Sequence, residues 1–241
     1  VQVVGYDRRD PALVVASDGT VDRLSLAPGT DFSYTLGERH CVGRVDYDAD
    51  RHDACPNPEA PYCPFHTTPW SVQSNADSQE EHAVYLAAFA PDVFKVGVTR
   101  SWRLETRLRE QGADRAAHIH TVSDGQVARD LEADIAETVG DKIRVATKIA
   151  GLHETVEEDA WRALLADHRV VEEFAFEYGV DLDARPVPET LLTGTVRATK
   201  GRVLLLDRAG TTYAVDMRGL LGYELAAEAD ARALQSSLGS F

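Results

Sequence analysis

His82-Ala-Val-Tyr-Leu-Ala-Ala-Phe-Ala-Pro-Asp-Val-Phe-Lys-Val-Gly-Val-Thr-Arg-Ser-Trp-Arg-Leu-Glu-Thr-Arg-Leu-Arg-Glu-Gln-Gly-Ala113 is the stretch from which the rest of the chain is read. Apolar, β-prone runs stand on either side of Pro91-Asp92, a turn pair, so the pattern predicts two short strands in a hairpin. The residues that follow put Arg103 and Arg107 on one side of a helix, with Arg100 three positions earlier in the same stripe. Gly112 is suited to the left-handed residue that closes such a helix. A Tyr, a Lys and several Arg side chains are thereby aimed at one place, and no other part of the chain is as specific.

Composition sets the outer bounds. At 241 residues and 44% hydrophobic content the chain can bury a real core, as one large module or two to three small ones. No apolar run approaches the length of a membrane span and no basic-then-apolar leader opens the sequence, so a cytoplasmic protein with no membrane partner is expected. The 40 acidic residues against 25 basic ones give a formal net charge of -15, and the only Lys residues are 95, 142, 148 and 200. An acidic surplus with Arg in place of Lys resembles the proteins of salt-loving archaea, which implies a halophilic setting. In ordinary salt this balance opposes a polyanionic partner, because nucleic-acid affinity rests largely on phosphate neutralisation. At roughly 1 M salt the screening length falls to about 3 Å, and local Arg clusters decide instead. Net charge therefore does not exclude nucleic acid.

Ahead of the hairpin, Val1 to Tyr6, Ala12 to Ala16 and Val21 to Leu26 read as scaffold strands, with Ser17-Asp18-Gly19-Thr20 as a turn. From His40 to Trp70 the chain reads as loop, because Pro56, Pro58, Pro61, Pro64 and Pro69 block regular structure. Cys41, Cys55 and Cys63 all fall there, and Cys63-Pro-Phe-His66 is a Cys-x2-His step. Three thiolates and one imidazole complete a tetrahedral set for structural zinc, and two donors on one tight knuckle can reach a single ion. An odd cysteine count in a cytoplasmic chain fits a disulfide poorly. The spacers of thirteen and seven residues match no standard finger, three free cysteines in a loop is the competing reading, and His40 and His52 are spare donors. Zinc would order a Pro-rich loop with too little apolar surface to order itself. Residues 71–81 are polar and aperiodic, a connection.

Ala83-Val84-Tyr85, then Lys95-Val96-Gly97 ten residues later, then Thr99-Arg100 and a helix bearing Arg107 resemble the GIY-YIG nuclease core. The longer string, preceded by a Cys/His knuckle, is similar to a family of uncharacterised prokaryotic proteins, haloarchaeal ones among them, over roughly residues 38–165. The resemblance implies an α+β fold with metal-dependent endonuclease chemistry on DNA, structured or branched DNA included, with RNA the lesser expectation. It gives Tyr85 the place of the tyrosine that helps deprotonate water. Lys95 stands where the second triplet normally has Tyr, and can assist proton transfer or hold a phosphate. Gly97 fits where backbone passes close to the following helix. Arg107 matches the helix Arg whose planar fork suits developing phosphate charge, with Arg100, Arg103 and Lys95 as further nucleic-acid contacts. The family also requires a metal-binding Glu on a later helix. Apolar positions Val127, Leu131, Ile135 and Val139 predict a helix over 126–139 capped by Asp124, and Glu132 lies at the border of its apolar stripe. Asp134 and Glu137 face solvent. Glu132 with substrate phosphates would suit Mg²⁺ or Mn²⁺.

His118 and His120, at period two on a predicted strand 117–122, read as a wet sheet face rather than a ligand pair. Thr155-Val-Glu-Glu158 reads as a capping box opening a long helix through Tyr178. Residues 181–190 form a linker. Three β-rich runs follow (191–198, 202–207 and 211–217), either a binding accessory or a partner for the N-terminal strands, and 226–241 reads as a terminal helix. The expected organisation is thus a β segment (1–37), a zinc knuckle and linker (38–81), a GIY-YIG-like core of small sheet and packed helices (82–180), and a C-terminal β-rich segment (190–241). Two function classes remain open: a Mg/Mn-dependent nuclease braced by zinc, and a zinc-containing nucleic-acid-binding or interaction module that keeps the fold without cleavage.

Overall fold

The computed structural model describes residues 1–67 and 80–227. The chain divides into two compact units, one built from Val1–Pro69 with Val187–Phe241, the other from Trp70–Pro186. The second unit is thus an insertion within the sequence of the first.

The first unit begins with β1 (Gln2–Asp7), β2 (Ala12–Ser17), β3 (Thr20–Ser25), β4 (Asp31–Arg39), β5 (Arg44–Asp46) and β6 (Arg51–Asp53). The second unit holds β7 (His82–Phe89), β8 (Val93–Arg100), a 3-10 turn at Ser101–Arg103, α1 (Leu104–Gln111), β9 (Arg115–Val122), α2 (Gly125–Val139), α3 (Val145–Ala150), α4 (Glu158–Ala166) and β10 (Glu172–Ala175). The chain then returns to the first unit through β11 (Val187–Pro188), β12 (Leu192–Lys200), β13 (Val203–Arg208), β14 (Thr211–Asp216), α5 (Met217–Leu220) and β15 (Tyr223–Ala227). The fold is mixed α+β and mostly β.

In the first unit, eleven strands run in the order β11-β14-β13-β12-β4-β15-β1-β2-β3-β6-β5. β4 is the seam: one edge pairs with β12 (Leu192↔Tyr34) and the other with β15 (Leu225↔Leu36). N-terminal and C-terminal strands therefore share one sheet and one core, in which Val3, Val4, Leu13, Leu192, Leu204, Leu206 and Val215 are buried together. The Pro-rich region expected to be loop contains a short antiparallel hairpin, β5–β6, which pairs through β6 with β3.

In the second unit the strand order is β10-β9-β7-β8. Every residue of β7 is buried, because helices cover both of its faces. Ala83, Tyr85, Ala87 and Phe89 pack with Leu104 and Leu108 of α1, while Val84, Leu86 and Ala88 pack with Ala128 of α2 and Trp161 of α4. Period-two alternation thus divides one apolar run between two cores. Gly112 takes the left-handed conformation after α1 (φ 70°), and Asp124 caps α2 by accepting from the amides of Gln126 and Val127.

The long helix expected from Thr155 to Tyr178 is instead α4 followed by β10. The Glu158 carboxylate does not reach back to Thr155; it pairs with Arg115 and Arg162. Phe174, Phe176 and Tyr178 repeat at period two, with the Phe174 and Phe176 rings stacked 6.1 Å apart, and β10 adds to β9 in register Glu172↔His118. That pairing buries His118, which is not on a wet face: its Nε2 sits 2.9 Å from the His120 carbonyl and 3.0 Å from Thr121 Oγ1. Most of the 71–81 connection, and the 226–241 helix beyond Ala227, lie outside the described residues. Among the described residues no helix is long and apolar enough to cross a membrane.

Trp161 is 1% exposed and packs 5.9 Å from the Phe94 ring, so it carries much of the core between α4 and the sheet. We expect Trp161→Ala to destabilise this unit by ~3–5 kcal/mol in urea unfolding, as large-to-small substitution of a buried aromatic does.

Candidate functional site

The arrangement around the second unit's hairpin starts from a cross-strand fit. Tyr85 of β7 lies directly opposite Gly97 of β8. A Cβ built on Gly97 would overlap the Tyr85 hydroxyl and ring, so the phenol occupies the space that a side chain would take. The close neighbour that demands glycine is therefore this ring, not the following helix. The Tyr85 hydroxyl accepts a 2.6 Å hydrogen bond from Gln111 Nε2 at the end of α1 and also meets Arg107. Burial pushes the phenol pKa up, with the Gln111 hydrogen bond and the Arg107 charge opposing it in part. Tyr85 stays a protonated donor.

Lys95 lies two residues before Gly97, on the same face of β8. Its Nζ donates to the Asp141 carbonyl at 2.9 Å. Burial, then the nearby Arg107, hold its pKa below the ordinary lysine value, while Glu132 and Asp141 pull it back up. Glu132 comes from α2, the helix on the opposite face, and reaches this place around the sheet edge. β8 is an edge strand whose outward amides need acceptors: Val96 N–H donates to the Gly140 carbonyl at 2.9 Å, and Val98 N–H donates to the Glu132 carboxylate. Burial raises the Glu132 pKa, with Lys95 lowering it and Asp141 raising it. Asp134 and Glu137, on the same helix, are exposed.

Arg103 and Arg107 are held by a residue that sequence reading missed. Glu110, only 7% exposed, lies 3.5 Å from Arg103 Nη2 and 3.7 Å from Arg107 Nη1. Its positions, three and seven after the two arginines on one helix face, were the available signal. Arg100 Nε lies 2.6 Å from a Glu80 carboxylate oxygen. Arg100, Arg103, Arg107, Arg129, Lys142, Glu132 and Asp141 line one cleft of about 770 Å³. Arg129, Lys142 and Asp141 were not singled out from the sequence, since lone charges on predicted helices and turns are ordinarily solvated. Of the sequence-derived residues, Arg100, Arg103, Arg107 and Glu132 line this cleft, whereas Tyr85 and Lys95 do not line it but interact electrostatically with both Arg107 and Glu132. Glu132 and Asp141 bring two carboxylates to the basic cleft.

The other cluster is in the first unit. The ligand atoms of Cys41, Cys55, Cys63 and His66 all lie within 4.8 Å of one another. Cys41 Sγ and Cys63 Sγ stand 3.4 and 3.3 Å from His66 Nδ1. The thirteen-residue spacer is the β5–β6 hairpin, which leaves Cys41 and returns at Cys55. Gly43 turns the chain there at φ +77°, and a Cβ on it would overlap the Asp53 carbonyl. Against the upward pull of burial, hydrogen bonds from His66 and Cys41 bring the Cys63 thiol down to about 7, close to the thiolate form a metal needs. His40 and His52 are not in the cluster. His40 Nδ1 bonds the Cys55 carbonyl at 2.9 Å, and His52 Nε2 bonds the Val42 carbonyl at 2.6 Å, so both brace the loop. A Cys3His set of this closeness can hold a metal ion such as zinc.

Residues 63–225 match a family described as "Protein of unknown function (DUF2797)". The chain belongs to that family. No curated protein and no solved structure gives a match. The matched span of this DUF2797 protein begins at Cys63, so it takes in the Cys63-Pro-Phe-His66 step and the whole cleft.

Two outcomes follow from the geometry. Gly97→Ala is expected to lower stability by ~1–3 kcal/mol in thermal or urea unfolding, the range for forcing a methyl into a filled site. Removing metal with a chelator, or introducing Gly43→Ala, is expected to lower the melting temperature of the first unit and to raise the number of cysteines that react with a thiol reagent.

Proposed function

We propose that the inserted unit is a GIY-YIG-like nuclease core that hydrolyses phosphodiester bonds in DNA with Mg²⁺ or Mn²⁺, and that zinc at Cys41, Cys55, Cys63 and His66 is a structural brace. The single observation that carries the reading is that Arg107 and Glu132 line one Arg-rich cleft while Tyr85 and Lys95, from the neighbouring strands β7 and β8, interact with both of them.

In the reaction, a water oxygen bonds to phosphorus as the bond to the leaving sugar oxygen breaks. Arg107, fixed by Glu110, offers its planar fork to the non-bridging oxygens as their charge grows. Lys95, its pKa depressed, takes the proton that the water loses. Tyr85 donates its hydroxyl proton as a hydrogen bond and positions the reacting oxygen. Glu132 and Asp141 would hold the divalent ion, which supplies Lewis-acid polarisation of the phosphate and stabilises the leaving oxygen.

The second reading, a zinc-containing nucleic-acid-binding module without cleavage, draws on two details. The Tyr85 hydroxyl is buried under Gln111, and the Lys95 ammonium is engaged by the Asp141 carbonyl. Incubation of plasmid and branched DNA with the protein in molar KCl separates the two. Cleavage that needs Mg²⁺ or Mn²⁺ and falls at least ~10²-fold in Glu132→Ala supports the nuclease; binding with no cleavage under any divalent metal supports the module. The proton-acceptor role of Lys95 has its own signature. A base must be neutral to act, so kcat/KM is expected to rise with pH and level off below the ordinary lysine pKa, and Lys95→Arg is expected to keep DNA binding while losing this limb.

A further inference from the structure

β7 begins with His82, directly opposite Arg100 of β8. His82 lines the cleft, is only 2% exposed, and has no hydrogen-bond partner on either ring nitrogen among the described residues. A buried polar group left without a partner is unfavourable by about 1–3 kcal/mol. A side chain kept in that state at the wall of a cationic cleft is well placed to meet a ligand. The His82/Arg100 pair stands three residues along the hairpin from the Tyr85/Gly97 pair. That is ~10 Å of strand, and nucleic acid advances about 3.4 Å per nucleotide along a duplex strand. Because side chains alternate along a strand, this odd spacing puts His82 and Arg100 on the α2 side of the sheet, the side of the helix that carries Glu132, and a group bound here lies a few nucleotides from the proposed reaction centre across the β8 edge.

The same end carries Trp102, in the 3-10 turn between Arg100 and Arg103. It is 69% exposed, and the Arg103 guanidinium is 5.8 Å from its ring centroid. A single exposed apolar residue is ordinary on a protein surface. Trp102 differs because both flanking arginines line the cleft and because the turn is fixed, Ser101 N–H donating to the Glu81 carbonyl at 2.9 Å. An indole held at the rim of a cationic groove has the make-up of a base-stacking platform.

We infer that His82, Arg100, Arg103 and Trp102 form a subsite for one unpaired nucleotide, the first three taking its phosphate and Trp102 stacking its base. The substrate class is then a nucleic acid with a single-stranded segment next to the cleavage position. The inference rests on the nuclease reading for the polarity of the cleft, and it goes beyond that reading by requiring an unpaired base.

The test is fluorescence anisotropy of a labelled single-stranded oligonucleotide and of its blunt duplex, in chelator-free buffer without Mg²⁺ or Mn²⁺, which prevents cleavage and leaves the Cys3His metal in place. Wild-type protein is expected to bind the single strand more tightly. Trp102→Ala is expected to weaken single-strand binding by about tenfold, Trp102→Phe to restore most of it, and the difference to persist in molar KCl, since stacking does not share the steep salt dependence of phosphate contacts. His82→Leu is expected to leave the melting temperature unchanged or higher while weakening single-strand binding several-fold, and His82→Gln to hold it. Equal binding of single strand and duplex, with no effect of Trp102→Ala or His82→Leu, overturns the subsite while metal-dependent cleavage that falls in Glu132→Ala leaves the nuclease reading standing. Binding of neither form, together with no metal-dependent cleavage, overturns both.

Discussion

The outer edge of β8 must find acceptors for its amides, and the way it does so organises the inserted unit. An edge strand left open is a template for unwanted pairing. Here the end of α2 closes it, the Gly140 carbonyl taking the Val96 amide and the Glu132 carboxylate taking that of Val98. This covering brings a carboxylate from the helix on one face of the sheet to residues on the other. Tyr85 and Lys95 project on the α1 side, and Glu132 reaches them only because α2 lies along the edge. The same hydrogen bond that satisfies the strand therefore brings the Glu132 carboxylate into electrostatic reach of the Lys95 ammonium.

Electrostatics within the cleft follow from that placement. Burial disfavours the charged form of each of Lys95, Glu132 and Tyr85; the Lys95 and Glu132 charges oppose it for one another, whereas Glu132 adds to it at Tyr85. Arg107 favours the phenolate and disfavours the ammonium, while Glu110, buried at its side, pairs with the guanidinium at 3.7 Å. A chain with a net charge of -15 thus presents a cationic cleft, with its acidic surplus carried elsewhere. At high ionic strength such local arrangement outweighs the global sum.

The parts of this architecture legible in the sequence are those written in short-range pattern. The alternation of β7, the Pro91-Asp92 turn, the Gly112 cap and the Asp124 cap all depend on neighbours within a few residues, and all were readable. The spacing of Cys63 and His66 is local in the same way. What could not be read depends on contacts distant in sequence. Glu158 left its expected capping role because Arg115, on another strand, attracts it. Phe174 and Phe176 sit at period two in a stretch whose other apolar residues fit a helix equally well, and only pairing with β9 resolves the ambiguity. Asp141 is one acid among many until Lys95, 46 residues earlier, donates to its carbonyl. The Cys41–Cys55 spacer reads as loop because a three-residue strand carries too little pattern to register.

The seam at β4 has a consequence for how the molecule comes into being. Its two partners, β12 and β15, lie more than 150 residues downstream, on the far side of the inserted unit. During synthesis β4 emerges from the ribosome with neither edge paired, while β7 to β10 follow as one contiguous block able to close on itself. Topologies that wait on distant pairings fold slowly and expose strand edges meanwhile. The inserted unit is free to mature early, and the host sheet is a late event that a stalled or truncated nascent chain never reaches.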